Sequence, residues 1–222
     1  MSILKGLKAM EQLDRNVSSG DGVKTRWLKL EDGGSAKIRF INELDEDSPN
    51  FDEKRGVAIV VSEHTNPKDY MRKAVCSMDS EGRCFGCEMA RKQTEAERKQ
   101  GSWRARYRFY TNILVDDGVE EPYVAVWSQG VGKQSAFNTL REYALETGSI
   151  TNRDWKMTRK GSGTDTTYVL IPRDPDADKF DWSKVEPYTL EKVVREVPYA
   201  EQESYYLGFE SGSSATTANM DW

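Results

Sequence analysis

The chain of 222 residues has a single histidine and three cysteines, and all four lie close together as His64, Cys76, Cys84 and Cys87. In Cys84-Phe-Gly-Cys87 the two-residue gap lets two thiolates grip one tetrahedral ion, and Gly86 permits the tight backbone. Cys76 and His64 complete a four-ligand set with no fifth candidate and no open position. Such a set specifies one closed, structural Zn²⁺ rather than a catalytic one. Three cysteines cannot all pair within one chain, and in a reducing compartment thiols serve better as ligands than as disulfides. The competing reading is three buried thiols and an incidental histidine.

Catalytic readings of the same residues fail on detail. A zinc deaminase needs H-x-E and P-C-x-x-C, whereas His64 is followed by Thr65 and Asn66, and Arg83 precedes Cys84. Using His64 as a general base would take the only histidine from the metal. Gly130-Val131-Gly132-Lys133 lacks the Gly and Ser/Thr of a phosphate loop, since Trp127 and Gln134 stand there. Asp116 and Asp117 occupy turn positions. The sequence is therefore expected to have no enzymatic site.

The elements that must position these residues are short. GVAIVVSEH is an apolar, β-branched run expected to form a buried strand ending at His64, and CFGCEMARKQTEAERKQ, residues 84–100, is expected to open a helix on the metal motif. TRWLKLEDGGSAKIRFINEL reads as two strands around Asp32, Gly33 and Gly34. RARYRFYTNILV and YVAVW read as a second hairpin, and WKMTRKGSGTDTTYVLIPR as a third. KQSAFNTLREYALETG is a helix capped by Gly148, and TLEKVVREV reads as a last helix. Short strands interrupted by one helix point to a mainly β (α+β) fold of the OB type: a small barrel with an inserted zinc subdomain, short helices and a disordered acidic C-terminal tail. The expected organisation is an N-terminal arm over 1–20, an OB-fold core over 21–198 with the zinc subdomain at about 61–103, and a flexible tail over 199–222. The arm carries Ile3, Leu4, Leu7, Met10 and Leu13 at helical spacing. No long apolar run and no signal-peptide pattern are present, which predicts a soluble intracellular protein that does not enter membranes.

The formal charge of −5 averages over unlike segments. Residues 1–90 hold 14 Lys+Arg against 16 Asp+Glu, residues 91–173 hold 14 against 10, and residues 174–222 hold 4 against 11, giving net charges of −2, +4 and −7. A basic middle and an acidic end fit a polyanion-binding body with an acidic tail. A single-strand binder needs cations for phosphates and aromatic faces for bases on one surface. Strand alternation places Arg104, Arg106, Arg108 and Tyr110 on one side of RARYRFY, with Ala105, Tyr107 and Phe109 turned to the core. Lys37 and Arg39 share a face likewise, and Trp103, Trp127, Lys133, Trp155, Lys156, Arg159 and Lys160 join aromatics to cations at strand ends and loops. These thirteen residues are the expected DNA contacts. Glu201, Glu203, Glu210, Asp221 and Trp222 are the expected partner-binding residues of the tail.

From the strand before His64 to about Ile171 the sequence resembles the bacteriophage T4 type of single-stranded-DNA-binding protein. The resemblance is carried by the His64, Cys76, Cys84, Cys87 set, FYTNILV, GVGKQSAFNTL and WKMTRKGSGTDTTYVL. It implies an OB-fold core with a zinc subdomain and a cleft of Tyr and Lys/Arg holding single-stranded DNA. It also implies an arm for cooperative self-association and an acidic tail recruiting phage replication and recombination proteins in the cytoplasm of an infected bacterial host. The first residues here are less basic than that family's arm. The alternative from another class is a zinc-stabilised phage scaffold or protein-interaction module that does not bind DNA.

Overall fold

The computed structural model describes residues 25–174 and 185–208. Seven strands form one antiparallel sheet: β1 (Ser35–Phe40), β2 (Ile59–Asn66), β3 (Asp69–Val75), β4 (Arg106–Asp116), β5 (Tyr123–Gly130), β6 (Asp154–Lys160) and β7 (Thr167–Arg173). Their order is β3-β2-β4-β1-β6-β7, with β5 pairing with β4. Strand β4 is long enough to serve three partners. Along one edge it pairs with β5 from Arg108↔Gly130 to Val115↔Tyr123, and along the other it meets β2 up to Ile59↔Tyr110 and then β1 from Phe40↔Ile113. Among the described residues no strand pairing joins β5 to β7, so the sheet is open. The fold is mainly β with short helices, as the α+β reading expects.

Both faces of β4 are covered. On one face Phe40, Phe109, Ile113, Trp127, Leu140, Trp155 and Met157 make the main core beneath the helix Ala136–Thr147. Burying each of these side chains stabilises the fold by about 1.5–3 kcal/mol. On the other face Tyr110 and Val126 are sealed by Leu190 and Val194 from the 185–197 segment. A smaller cluster of Ala74, Phe85, Trp103, Val197 and Tyr206 forms the core of an outer lobe around β3 and the helix Phe85–Lys92. The loop before β6 is fixed by a buried carboxylate: Glu43 accepts hydrogen bonds from Ser149 Oγ at 2.5 Å, Thr151 Oγ1 at 2.5 Å and Ile150 N at 3.1 Å.

Several local expectations are corrected. The 84–100 segment is two helices, because Thr94 accepts from Glu97 N in a capping box and starts Glu95–Gln100 afresh. The first expected hairpin keeps only β1: Trp27 bridges Val126 of β5 instead, and Gly33 and Gly34 bond to Arg159 of β6. Strand β3 was not expected. It pairs with β2 and runs directly into Cys76. The expected last helix shrinks to Leu190–Val193, and the tail boundary at 199 is wrong, because Tyr199–Leu207 is a helix docked on the outer lobe through Tyr206. The 1–20 arm and residues 209–222, with Glu210, Asp221 and Trp222, lie outside the described residues. No described helix is long and apolar enough to cross a membrane.

Candidate metal centre and nucleic-acid interface

His64 and Cys76 come from the β2–β3 hairpin, and Cys84 and Cys87 from the entry of the helix Phe85–Lys92. Adjacent residues of a strand face opposite ways, so β2 turns His64 toward the outer lobe and Glu63 toward the far face. The four ligand atoms lie within 4.8 Å of one another and could hold a metal ion. Cys76 Sγ is 3.6 Å from Cys87 Sγ, which is 3.3 Å from His64 Nε2. A tetrahedral ion with bonds of ~2.3 Å to sulfur and ~2.0 Å to nitrogen sets S–S edges of ~3.8 Å and S–N edges of ~3.5 Å. The Cys76–Cys87 and Cys87–His64 separations are close to what one ion requires.

The surroundings fit a cation. His64 Nδ1 lies 2.6 Å from the Trp103 carbonyl, which can only accept, so Nδ1 carries the proton and Nε2 keeps its lone pair for the ion. Gly86 makes this approach possible: a Cβ there would stand 2.4 Å from the imidazole Cγ. Burial works to raise the Cys84 thiol, but hydrogen bonding with His64 and at the Cys87 and Ser77 backbones outweighs it and holds it at about 6. Burial, then the neighbouring Cys76, push Cys87 up to about 12. Without a cation one thiolate suppresses the next. A divalent ion removes that repulsion and lets the sulfurs ionise together.

Behind the donors sits a residue that pattern reading passes over. Gln202 is fully buried; its Oε1 accepts from Phe85 N at 2.8 Å, and its Nε2 donates to Ser77 Oγ at 2.8 Å and to the Val197 carbonyl at 2.9 Å. Phe85 follows Cys84 and Ser77 follows Cys76, so one amide steadies the backbone beside two ligands. Gln202→Leu strands these buried polar groups and should cost about 1–3 kcal/mol, measured as a lower midpoint of thermal unfolding, with weaker metal retention against a chelator. An unchanged midpoint and unchanged retention would reduce Gln202 to a spacer.

The expected DNA contacts divide sharply. Trp103, Tyr110, Trp127 and Trp155 are all buried, and the expectation that they stack on bases is corrected. Trp103 packs on Phe85 and Tyr206, Trp127 on Phe40 and Phe109, and Trp155 donates its indole N–H to the Ile150 carbonyl at 3.1 Å. Tyr110 donates to Glu63 Oε1 at 2.5 Å. Arg39 is buried against Asp154 at 2.6 Å, and Lys37 Nζ lies 3.8 Å from Asp116 and 3.7 Å from Asp154. Arg159 Nη1 is held by the Leu30 carbonyl, and Arg108 donates to Ser128 Oγ at 3.1 Å with its Nε 3.7 Å from Glu63.

Arg104, Arg106, Lys133, Lys156 and Lys160 are exposed, as are Glu201 and Glu203 on the docked helix. Lys156 and Lys160 stand apart on β6, on the face opposite Trp155 and Met157. Tyr107, assigned by alternation to the core, is 65% exposed. It sits one rung beyond the end of the β4–β5 pairing, where its carbonyl accepts from Val131 N at 3.1 Å, two residues before Lys133. No protein-family model matches the chain, and no curated protein matches it. The functional reading accordingly stands on the two sites just described.

Proposed function

We propose that the protein binds single-stranded DNA without strong sequence preference, on an OB-type barrel whose outer lobe is braced by one structural Zn²⁺. The observation that carries this reading is Tyr107, an aromatic ring left in water at the head of a strand whose other aromatics are buried. It adjoins the loop of the exposed Lys133, and the neighbouring Arg106 is exposed on the other face of the strand. Bases stack on such a ring regardless of sequence while cations follow the phosphates. A donor set of three thiolates and one imidazole with no open position favours zinc in a structural role. The OB-type reading is supported by the edge-to-face contact of Trp127 on β5 with Tyr168 on β7, 5.6 Å between ring centroids, which spans the open side of the sheet.

On this reading the protein covers strands exposed in phage DNA replication, recombination and repair, in the cytoplasm of an infected host. Its residues beyond 208 recruit partner proteins. The test is fluorescence anisotropy with oligo-dT, the matching RNA and a duplex at two salt concentrations. The expected result is tighter binding to oligo-dT than to duplex, with log K falling linearly in log salt by about 0.7 per phosphate contact. Absence of oligo-dT binding at low salt would reject the reading in favour of a zinc-stabilised protein-interaction module.

A further inference from the structure

We infer that the metal centre is also an oxidation site, in which hydrogen peroxide converts Cys76 and Cys87 into a disulfide and expels the metal. The inference rests on the metal-centre reading proposed above. The two sulfurs are 3.6 Å apart, and both residues are partly open to solvent, whereas Cys84 is 1% exposed. Peroxide therefore reaches Cys76 or Cys87 first. One follows the end of β3 and the other lies in the first turn of Phe85–Lys92, and closing 3.6 Å to a covalent bond asks for a shift of about 1.6 Å between the sulfurs.

The chemistry balances without a further reactant. The first thiolate attacks a peroxide oxygen, forming an S–O bond, breaking O–O and releasing hydroxide as it becomes a sulfenic acid. The second thiolate attacks that sulfur, forming S–S and releasing a second hydroxide. Two thiolates lose two electrons together, peroxide gains them, and solvent protons turn the two hydroxides into water. The metal is not oxidised. It leaves because only His64 and Cys84 remain to hold it, and a dithiol reductant restores the site.

Trypsin cleavage after Arg83 separates Cys76 from the peptide carrying Cys84 and Cys87. A Cys76–Cys87 bond therefore joins two peptides, and a Cys84–Cys87 bond closes a loop within one. The experiment treats the metal-loaded protein with stoichiometric to tenfold peroxide and follows released zinc with a chromogenic chelator, intact mass, and tryptic peptides fragmented between Phe85 and Gly86. The expected result is one zinc released per chain in step with the loss of two hydrogens, a Cys76–Cys87 cross-link with Cys84 free to alkylate, and recovery after reduction and zinc addition. A Cys84–Cys87 loop, sulfinic acid in place of the disulfide, or metal retained through tenfold peroxide would each overturn the inference. Protein that carries no metal when purified would count against the metal reading itself, and the same peptide map would still decide which cysteines pair.

Discussion

Removing an ion from the candidate metal centre should unfold the outer lobe while the main sheet stays folded. The lobe's own core is small, Ala74, Phe85, Trp103, Val197 and Tyr206, and its hairpin, helix and docked C-terminal helix converge on the four donors. Structural zinc binding contributes on the order of 10–16 kcal/mol in comparable small sites, more than so few apolar contacts supply. Chelation, or Cys84→Ser, should therefore abolish hydrogen-exchange protection over residues 64–103 and 197–207, beyond the stretch of β2 that pairs with β4. Amides around Trp127 and Trp155 should remain protected, because their core draws nothing from the lobe. The pH dependence has a definite sign. Cys87 stands at about 12 without metal, so uptake at neutral pH must expel its proton, and apparent affinity climbs as pH rises and fails in acid. Uniform loss of protection across the chain would show that lobe and main sheet are one cooperative unit.

Tyr107→Ala and Tyr110→Ala should part company. Tyr107 is mostly in water, so removing it should leave stability nearly unchanged and weaken oligo-dT binding by about 1–3 kcal/mol, roughly 5- to 150-fold, with the salt slope preserved. Tyr110 fills the core beneath Leu190 and Val194 and gives its hydroxyl to Glu63. Truncating it opens a cavity and strands a buried carboxylate, costing about 3–5 kcal/mol of stability. Thermal melts and anisotropy on both variants check this pair. Tyr107→Ala binding like the parent would remove the ring from the interface and with it the main support for the DNA reading.

What the sequence reveals and what it hides have physical causes. His64, Cys76, Cys84 and Cys87 were legible because few residue types ligate soft metals and the Cys84–Cys87 gap is set by local geometry. The hairpins β4–β5 and β6–β7 were legible because alternation and turn residues are local. The face of β4 was not. Alternation identifies two faces but cannot say that the 185–197 segment seals the Tyr110 side, or that β5 ends at Gly130 and leaves Tyr107 uncovered. The tryptophans misled for a related reason: a large ring beside cations in sequence reads as an interface, while Trp155 is in fact the centre of a core. Gln202 and Glu43 were invisible because their partners lie about a hundred residues away.

The dependence of the outer lobe on its last helix gives synthesis a direction. All four donors have left the ribosome once Cys87 is clear of the exit tunnel, and the β2–β3 hairpin with its following helix can then capture an ion. The amide that braces two of those ligands, and the Tyr206 ring that stacks on Phe85, belong to residues translated more than a hundred codons later. Over that interval Phe85 and Trp103 lack the Tyr206 ring that covers them in the finished fold. The nascent hairpin and helix must therefore hold together without the Gln202 brace until the last helix docks.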